Sequence, residues 1–207
     1  MTKRSVFVEG ASMASKGELT RERLVTEAAR LIRRKGFTGT SVSDLMAATG
    51  VKKGSLYFHF PGKDELGLAV LERSRDRLMG FFDSALIGDT PGECLSNFFD
   101  AVISSHRRSG FVGGCIFGNT ALEMSDGDKR YAEFVDRFFT DMAARLEGFI
   151  AAAQDAGQVR RDIPAATLAE HVVMTLEGGI MLARLRKEEK PLRSCFDTLK
   201  VFLQLAC

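Results

Sequence analysis

Between Val51 and Phe60 the chain reads VKKGSLYFHF, which gathers the residue types best able to grip a polyanion. Lys52 and Lys53 supply cations, Ser55 and Tyr57 hydroxyls, and His59 a ring with two nitrogens. On a helix Lys52, Ser55 and His59 share one face at spacings of three and four, and Leu56 and Phe60 turn inward beside them. Gly54, lacking a Cβ, would let the backbone come close to another surface. Lys63 follows where a further helix should begin, and free N–H groups at a helix start attract anions. A short helix of this kind suits the phosphates and base edges of a duplex. Residue by residue there is a blander reading: KKG as a solvated helix start, and His59 as a surface histidine.

Other chemistries find less support. Cys94, Cys115, Cys195 and Cys207 are widely spaced and form no C-x-x-C pair, so neither a zinc ribbon nor a disulfide framework is indicated. His59, His106 and His171 lack metal-ligand spacing. There is no nucleophile elbow and no phosphate loop, so no catalytic residue, metal ligand or cofactor is assigned. Cys115 draws interest because it follows Gly113 and Gly114 near an expected helix start, where the dipole favours thiolate. It reads as a small core cysteine, as a thiol switch, or, with no base placed beside it, as a nucleophile. An enzyme using Cys115 or a histidine, and a basic head docking on an acidic protein, are the rival classes.

These residues need positioning. From Thr20, a plausible N-cap, Leu24, Ala28, Leu31 and Ile32 recur at helical spacing up to Gly36. Arg33, Arg34 and Lys35 in the last turn suit the C-terminal dipole as well as they suit phosphate. Thr40 and Ser41 open a short helix through a Ser41–Asp44 capping box, which Gly50 ends. The 51–60 helix comes next and stops at Pro61-Gly62, completing a helix-turn-helix. Further helices are expected near 63–85, 91–108, 115–125, 128–155, 164–187 and 192–205, with breaks that include Lys190-Pro191. Nothing alternates at period two, so the class is all-α: an N-terminal three-helix helix-turn-helix domain and a larger helical domain. The expected divisions are a flexible tail over 1–18, a DNA-binding domain over 19–65, and an effector and dimerisation domain over 66–207.

The charge follows that division. Residues 1–67 hold twelve Lys and Arg against seven Asp and Glu, hence +5; the other 140 hold 17 against 20, hence −3. A basic head on a mildly acidic body suggests a polyanion partner. The tail could add a basic arm through Lys3, Arg4 or Lys16 reaching a minor groove, and Met13 could be the natural start. No signal peptide or membrane-length apolar run is apparent, so a cytoplasmic protein with no membrane partner is expected.

The stretch from Arg23 to Leu66 resembles the DNA-binding region of the TetR/AcrR family. The residues that carry this are Lys35-Gly36-Phe37, Thr40-Ser41-Val42-Ser43-Asp44-Leu45, Ala48-Thr49-Gly50-Val51, Lys53-Gly54-Ser55-Leu56-Tyr57-Phe58-His59-Phe60, Lys63 and Leu66. The resemblance implies a homodimeric repressor that leaves its double-stranded operator when a small-molecule effector binds. It places Lys53, Gly54, Ser55, Tyr57, His59 and Lys63 at DNA-contacting positions; Lys52, Thr40 and Ser41 join the candidate set. Phe58 stands where some members have a second Tyr. The segment Gly113–Asp126 is similar to a branch in which some members respond to electrophiles or oxidants through the Gly-Cys cysteine.

For the larger domain, Phe81, Phe98, Phe117 and Phe138 read either as core or as the lining of an effector pocket. His106, Asn119, Glu123, Glu177 and Cys115 are candidate polar groups there. Leu168, Val172, Leu176 and Ile180, with Gly178-Gly179, and Phe196, Leu199, Val201, Phe202 and Leu205 suggest two dimer-forming helices, or simple intramolecular core. The candidate dimer residues are Leu168, Val172, Gly178, Phe196, Leu199 and Phe202. The helix starting near Lys63 is expected to couple pocket and head.

Overall fold

The structure is a computed structural model and describes residues 15–205. The tail's Lys3, Arg4 and Met13, and also Cys207, lie outside the described residues. Nine helices and no strand occur among the described residues.

The first helix, α1 (Lys16–Lys35), starts a turn earlier than Thr20 would have it. Ser15 accepts from the Glu18 N–H, and the Glu18 carboxylate accepts from the Ser15 N–H. This reciprocal box satisfies two end groups before Thr20, whose hydroxyl instead donates to the Lys16 carbonyl. Lys16 and the expected 18/19 boundary therefore fall inside α1. The next two helices, α2 (Val42–Thr49) and α3 (Lys53–His59), form the helix-turn-helix. They are followed by α4 (Lys63–Ala85), α5 (Pro91–Arg108), α6 (Ile116–Met124) and α7 (Lys129–Asp155). The chain closes with α8 (Ala165–Arg186) and α9 (Lys190–Leu203). Lys190-Pro191 is not a break: Pro191 sits in the first turn of α9, where no N–H partner is needed.

α1 packs on α2 and α4, making the head, and α8 lies between α7 and α9 in the body. α5 and α6 both pack on α7, and α4 runs from the head into the body. The body's interior is strongly aromatic. Phe99 stacks on Phe196 at 4.7 Å between ring centres, joining α5 to α9, and Phe117 stacks on Phe138 at 3.6 Å, joining α6 to α7.

Candidate nucleic-acid interface

The α2–α3 pair is built by local bonding. Ser41 accepts from the Asp44 N–H, and Asp44 accepts from the Ser41 N–H and hydroxyl. Lys35 reaches the same carboxylate at 2.7 Å, and with Ser41 it holds Asp44 well below the usual carboxylate range. α2 stops at Gly50 in the left-handed conformation, φ 66°. Thr49 is buried; its hydroxyl donates to the Leu45 carbonyl and accepts from the Val51 N–H, stapling the turn. α3 is held from below by Leu56 and Phe60, both buried.

The face that α3 turns outward differs from the one expected. Lys53, Gly54, Tyr57 and Phe58 are exposed, and nothing lies near the open side of Gly54. Ser55 and His59 are half-buried, as the His59 ring lies towards Gly17 of α1. Lys52 is exposed at the N-cap. The Lys53 ammonium lies 5.9 Å from the Tyr57 ring centre, so these two side chains share one edge. Tyr57 is 42% exposed and Phe58 82%, with the Phe58 ring edge-on to His59.

Thr40 needs correction as a duplex contact. It is 1% exposed, and its hydroxyl donates to the Gly36 carbonyl, tying the end of α1 to the start of α2. Ser41 remains exposed, although its hydroxyl is engaged in the capping box as donor and acceptor. Lys63 is half-buried at the start of α4, with its ammonium 4.5 Å from the Phe37 ring centre.

Sequence reasoning missed the residues that fasten head to body. The Tyr131 hydroxyl of α7 donates to the Asp64 carbonyl in the first turn of α4 at 2.9 Å, and its ring meets Phe37 edge-on. Gly67 leaves the room for this: a Cβ there would overlap the Tyr131 hydroxyl and the Phe37 ring. Arg130 reaches Glu65 at 3.3 Å and Asp128 at 2.7 Å. Glu123, a candidate pocket group, accepts from the Thr38 N–H at 3.0 Å, so α6 grips the α1–α2 loop. Arg33 donates to the Gly114 carbonyl at 3.2 Å. Little in the sequence marks the ties from Tyr131, Glu123 and Arg33, because each joins residues more than 60 positions apart.

The expected sensor residues divide. Cys115, Asn119 and Glu177 meet around the start of α6, with Arg33 and His106 beside them. Asn119 donates to the Gly113 carbonyl and accepts from Arg184, so both ends of its amide are occupied. Burial pushes Glu177 up to about 7, while its bond with the Cys115 thiol acts the other way. His106 is pushed down to about 4, by burial first and by Arg33 second. The expectation of a thiolate at Cys115 is overturned. Burial, then the Glu177 carboxylate, raise that thiol well above its ordinary value, outweighing the Gly118 and Phe117 N–H groups that face the sulfur. Part of Cys115 still meets solvent, so the dense protein on most sides, not complete exclusion of water, sets this.

Phe98 is fully buried against the tilted rings of Phe82 and Phe99, Phe117 and Phe138 are buried in a stack, and Phe81 is half-buried edge-on to Phe82. They form part of the packed interior. A groove of about 290 Å³ lies elsewhere, between α8 and α9, bordered by His171, Thr175, Ser194, Cys195, Thr198 and Phe202.

The dimer candidates also need correction. Leu168, Val172, Phe196 and Leu199 are buried within the single chain, where α8 packs on α7 and α9. Gly179 serves that internal packing, for a Cβ there would press on Leu192 and Cys195, whereas Gly178 faces open space. Phe202 is half-buried beside His171. The apolar surface left uncovered is instead Met174, Met181 and Leu185 on α8 and Val201 on α9.

Comparison with known proteins agrees with this architecture. A family model described as "Bacterial regulatory proteins, tetR family" matches residues 24–70, and a second, "Tetracyclin repressor-like, C-terminal domain", matches 91–199. An uncharacterized HTH-type transcriptional regulator of Mycobacterium tuberculosis is 30% identical over 186 residues, covering 83% of this chain and 88% of the relative. The HTH-type transcriptional repressor DhaR of Mycobacterium sp. (strain GP1) is 28% identical over 174 residues, covering 83% and 86%. The crystal structure of a TetR transcriptional regulator from Chloroflexus aurantiacus superposes with a TM-score of 0.82 at 31% identity, covering 92% of this chain and 99% of that one. With both halves matched and the α2–turn–α3 unit in place, the chain belongs to the TetR family of DNA-binding, non-enzymatic transcriptional regulators.

Proposed function

We propose that the chain acts as a homodimeric repressor, which reads a palindromic operator with two copies of α3 and leaves it when the body is perturbed by a small effector or by modification of Cys115. The observation that carries this is the outward face of α3, where Lys53, Gly54, Tyr57 and Phe58 stand free on a helix anchored by Leu56 and Phe60. Lys53 supplies phosphate charge, Tyr57 a hydroxyl, and Gly54 a close approach of backbone to duplex. One such helix covers too few base pairs for specificity, and two of them about 34–36 Å apart would read successive major grooves. Support for pairing comes from the uncovered stripe Met174, Gly178, Met181 and Leu185 on α8, whose spacings of four, three and four put it on one helix face. Val201 adds an exposed apolar side chain on α9, and the groove between α8 and α9 opens beside His171 and Thr175.

Release requires only that the trigger favour a state with the two α3 helices misplaced, a differential of about 1–3 kcal/mol. Routes for it exist in the bonds from Tyr131 to Asp64, Glu123 to Thr38 and Arg33 to Gly114. The raised pKa of the half-buried Cys115 thiol favours a ligand over rapid thiol chemistry as the trigger. Cys115→Ser separates the two: induction retained in this variant excludes the thiol route, and induction lost restores it.

The central test is selection of duplexes from a random pool by the purified protein, followed by titration at several salt concentrations. A palindromic site is expected, bound by a dimer in sedimentation, with affinity falling steeply as salt rises. A monomer indifferent to every duplex would overturn the reading.

A further inference from the structure

The recognition helix carries a side chain that phosphate chemistry leaves unused. Phe58 is 82% exposed, while the other described aromatics, apart from the neighbouring Tyr57, lie in the interior or half-buried against it. It occupies the exposed face of α3 together with Lys53, Gly54 and Tyr57, whereas Ser55 and His59 turn partly inward. A phenyl ring in water is unfavourable, and a phenyl ring offers no hydrogen bond to a phosphate oxygen. Leu56 on the same helix and Phe60 at its C-cap are buried, so the core does not want for apolar groups and does not recruit this one. The neighbouring His59 ring stands at a steep angle to it, 5.2 Å between centres, and leaves most of it open.

A major groove holds one apolar feature that differs between base pairs, the 5-methyl group of thymine. We propose that Phe58 is a specificity-determining residue that packs against a thymine methyl in each half-site. The proposal rests on the reading that α3 enters a major groove. Within that reading, Lys53 and Tyr57 on the same face hold the sugar-phosphate edge, and Gly54 permits the approach that brings the ring to the base. No protein group has to move, because the ring already stands clear of the surface.

The test uses the full chain and a duplex that it selects from a random pool. Each thymine of the selected site is replaced in turn by uracil, which removes the methyl and leaves the hydrogen-bonding edge intact. One position per half-site is expected to show a loss of about fourfold, the value of one buried methyl-sized group. In Phe58→Ala that uracil penalty disappears, and reselection with the variant yields a site relaxed at that base pair. Thermal unfolding of Phe58→Ala matches the parent, because so exposed a ring contributes little to the fold. Uracil tolerated at every position would overturn the proposal while leaving the DNA-binding reading intact. A penalty that persists in Phe58→Ala, or a uniform loss of affinity in that variant with no uracil-sensitive position, would also overturn it. Failure to select any duplex would remove both.

Discussion

Two short helices in this molecule open on sequences that invite the same interest, and they use it in opposite ways. α3 begins Lys53-Gly54-Ser55, and α6 begins just after Gly113-Gly114-Cys115. On α3 the charged and aromatic groups remain unspent, with Lys53, Tyr57 and Phe58 outside. On α6 almost every interesting group already has an internal partner. Cys115 faces Glu177, Phe117 stacks on Phe138, Asn119 is bonded at both ends of its amide, and Glu123 holds Thr38. Residue type nominates a site, but the difference between a surface that acts and one that supports lies in whether the polar groups are already satisfied.

The comparison can be broken by mutation, because α6 substitutions should act on stability and α3 substitutions on affinity. Phe117→Ala should have the largest effect: removal of a fully buried stacked ring costs about 3–5 kcal/mol, read by calorimetry as a fall of roughly 10 °C in Tm. If its Tm barely moves, the interior at α6 is not the packed joint described.

Glu177→Gln follows, with the opposite sign. The carboxyl's folded value of about 7 lies above its ordinary 4.5. Below pH 4.5 it is protonated folded or unfolded, so it costs nothing. Between 4.5 and 7 the unfolded chain ionises first and stability is lost, and above 7 the loss is complete. The variant should therefore gain about 1–2 kcal/mol at pH 8 and nothing near pH 4, measured by denaturant titration. His106 works in the other direction. Its value of about 4 lies below its ordinary 6.5, so protonation of the unfolded chain removes stability as pH falls through that window.

On α3, Lys53→Ala should leave Tm in place and reduce the salt slope of duplex binding by about one unit for each phosphate that the ammonium neutralises. Tyr57→Phe should be the mildest change, about 0.5–1.5 kcal/mol in affinity for every sequence alike, as expected for one hydroxyl donated to a backbone oxygen. An altered sequence preference in Tyr57→Phe would place that hydroxyl on a base instead.

Much of the fold was legible because its signals are local. The Ser41–Asp44 box and the left-handed Gly50 delimit α2, and Pro61-Gly62 ends α3, all within a few residues of the features they control. The start of α1 was misplaced, since Ser15 and Glu18 stand before the apolar pattern that Thr20 introduces. The exposed face of α3 lies about a residue from the one that the sequence suggests. Seven residues hold too little periodicity to fix a face, and the deciding neighbours, Gly17 and Arg21, come from α1. In α8 and α9 the same apolar letters serve core and outer surface. Leu168 and Val172 went inward while Met174 and Met181 stayed out, a division that only the packing of α7 against α8 settles. The titration of Cys115 was beyond reach for a related reason, as Glu177 is distant in the chain and near in space.

The seating of Tyr131 over Gly67 has a consequence for how the head can be moved. Arg130's ionic ties to Glu65 and Asp128 weaken as electrolyte is added, but a phenol ring seated over a bare backbone transmits motion by excluded volume, which ions do not dilute. Tilting α7 must therefore carry the first turn of α4 with it at any ionic strength. Brine would slacken the charged part of this joint and leave its steric part, the phenol over Gly67, in place.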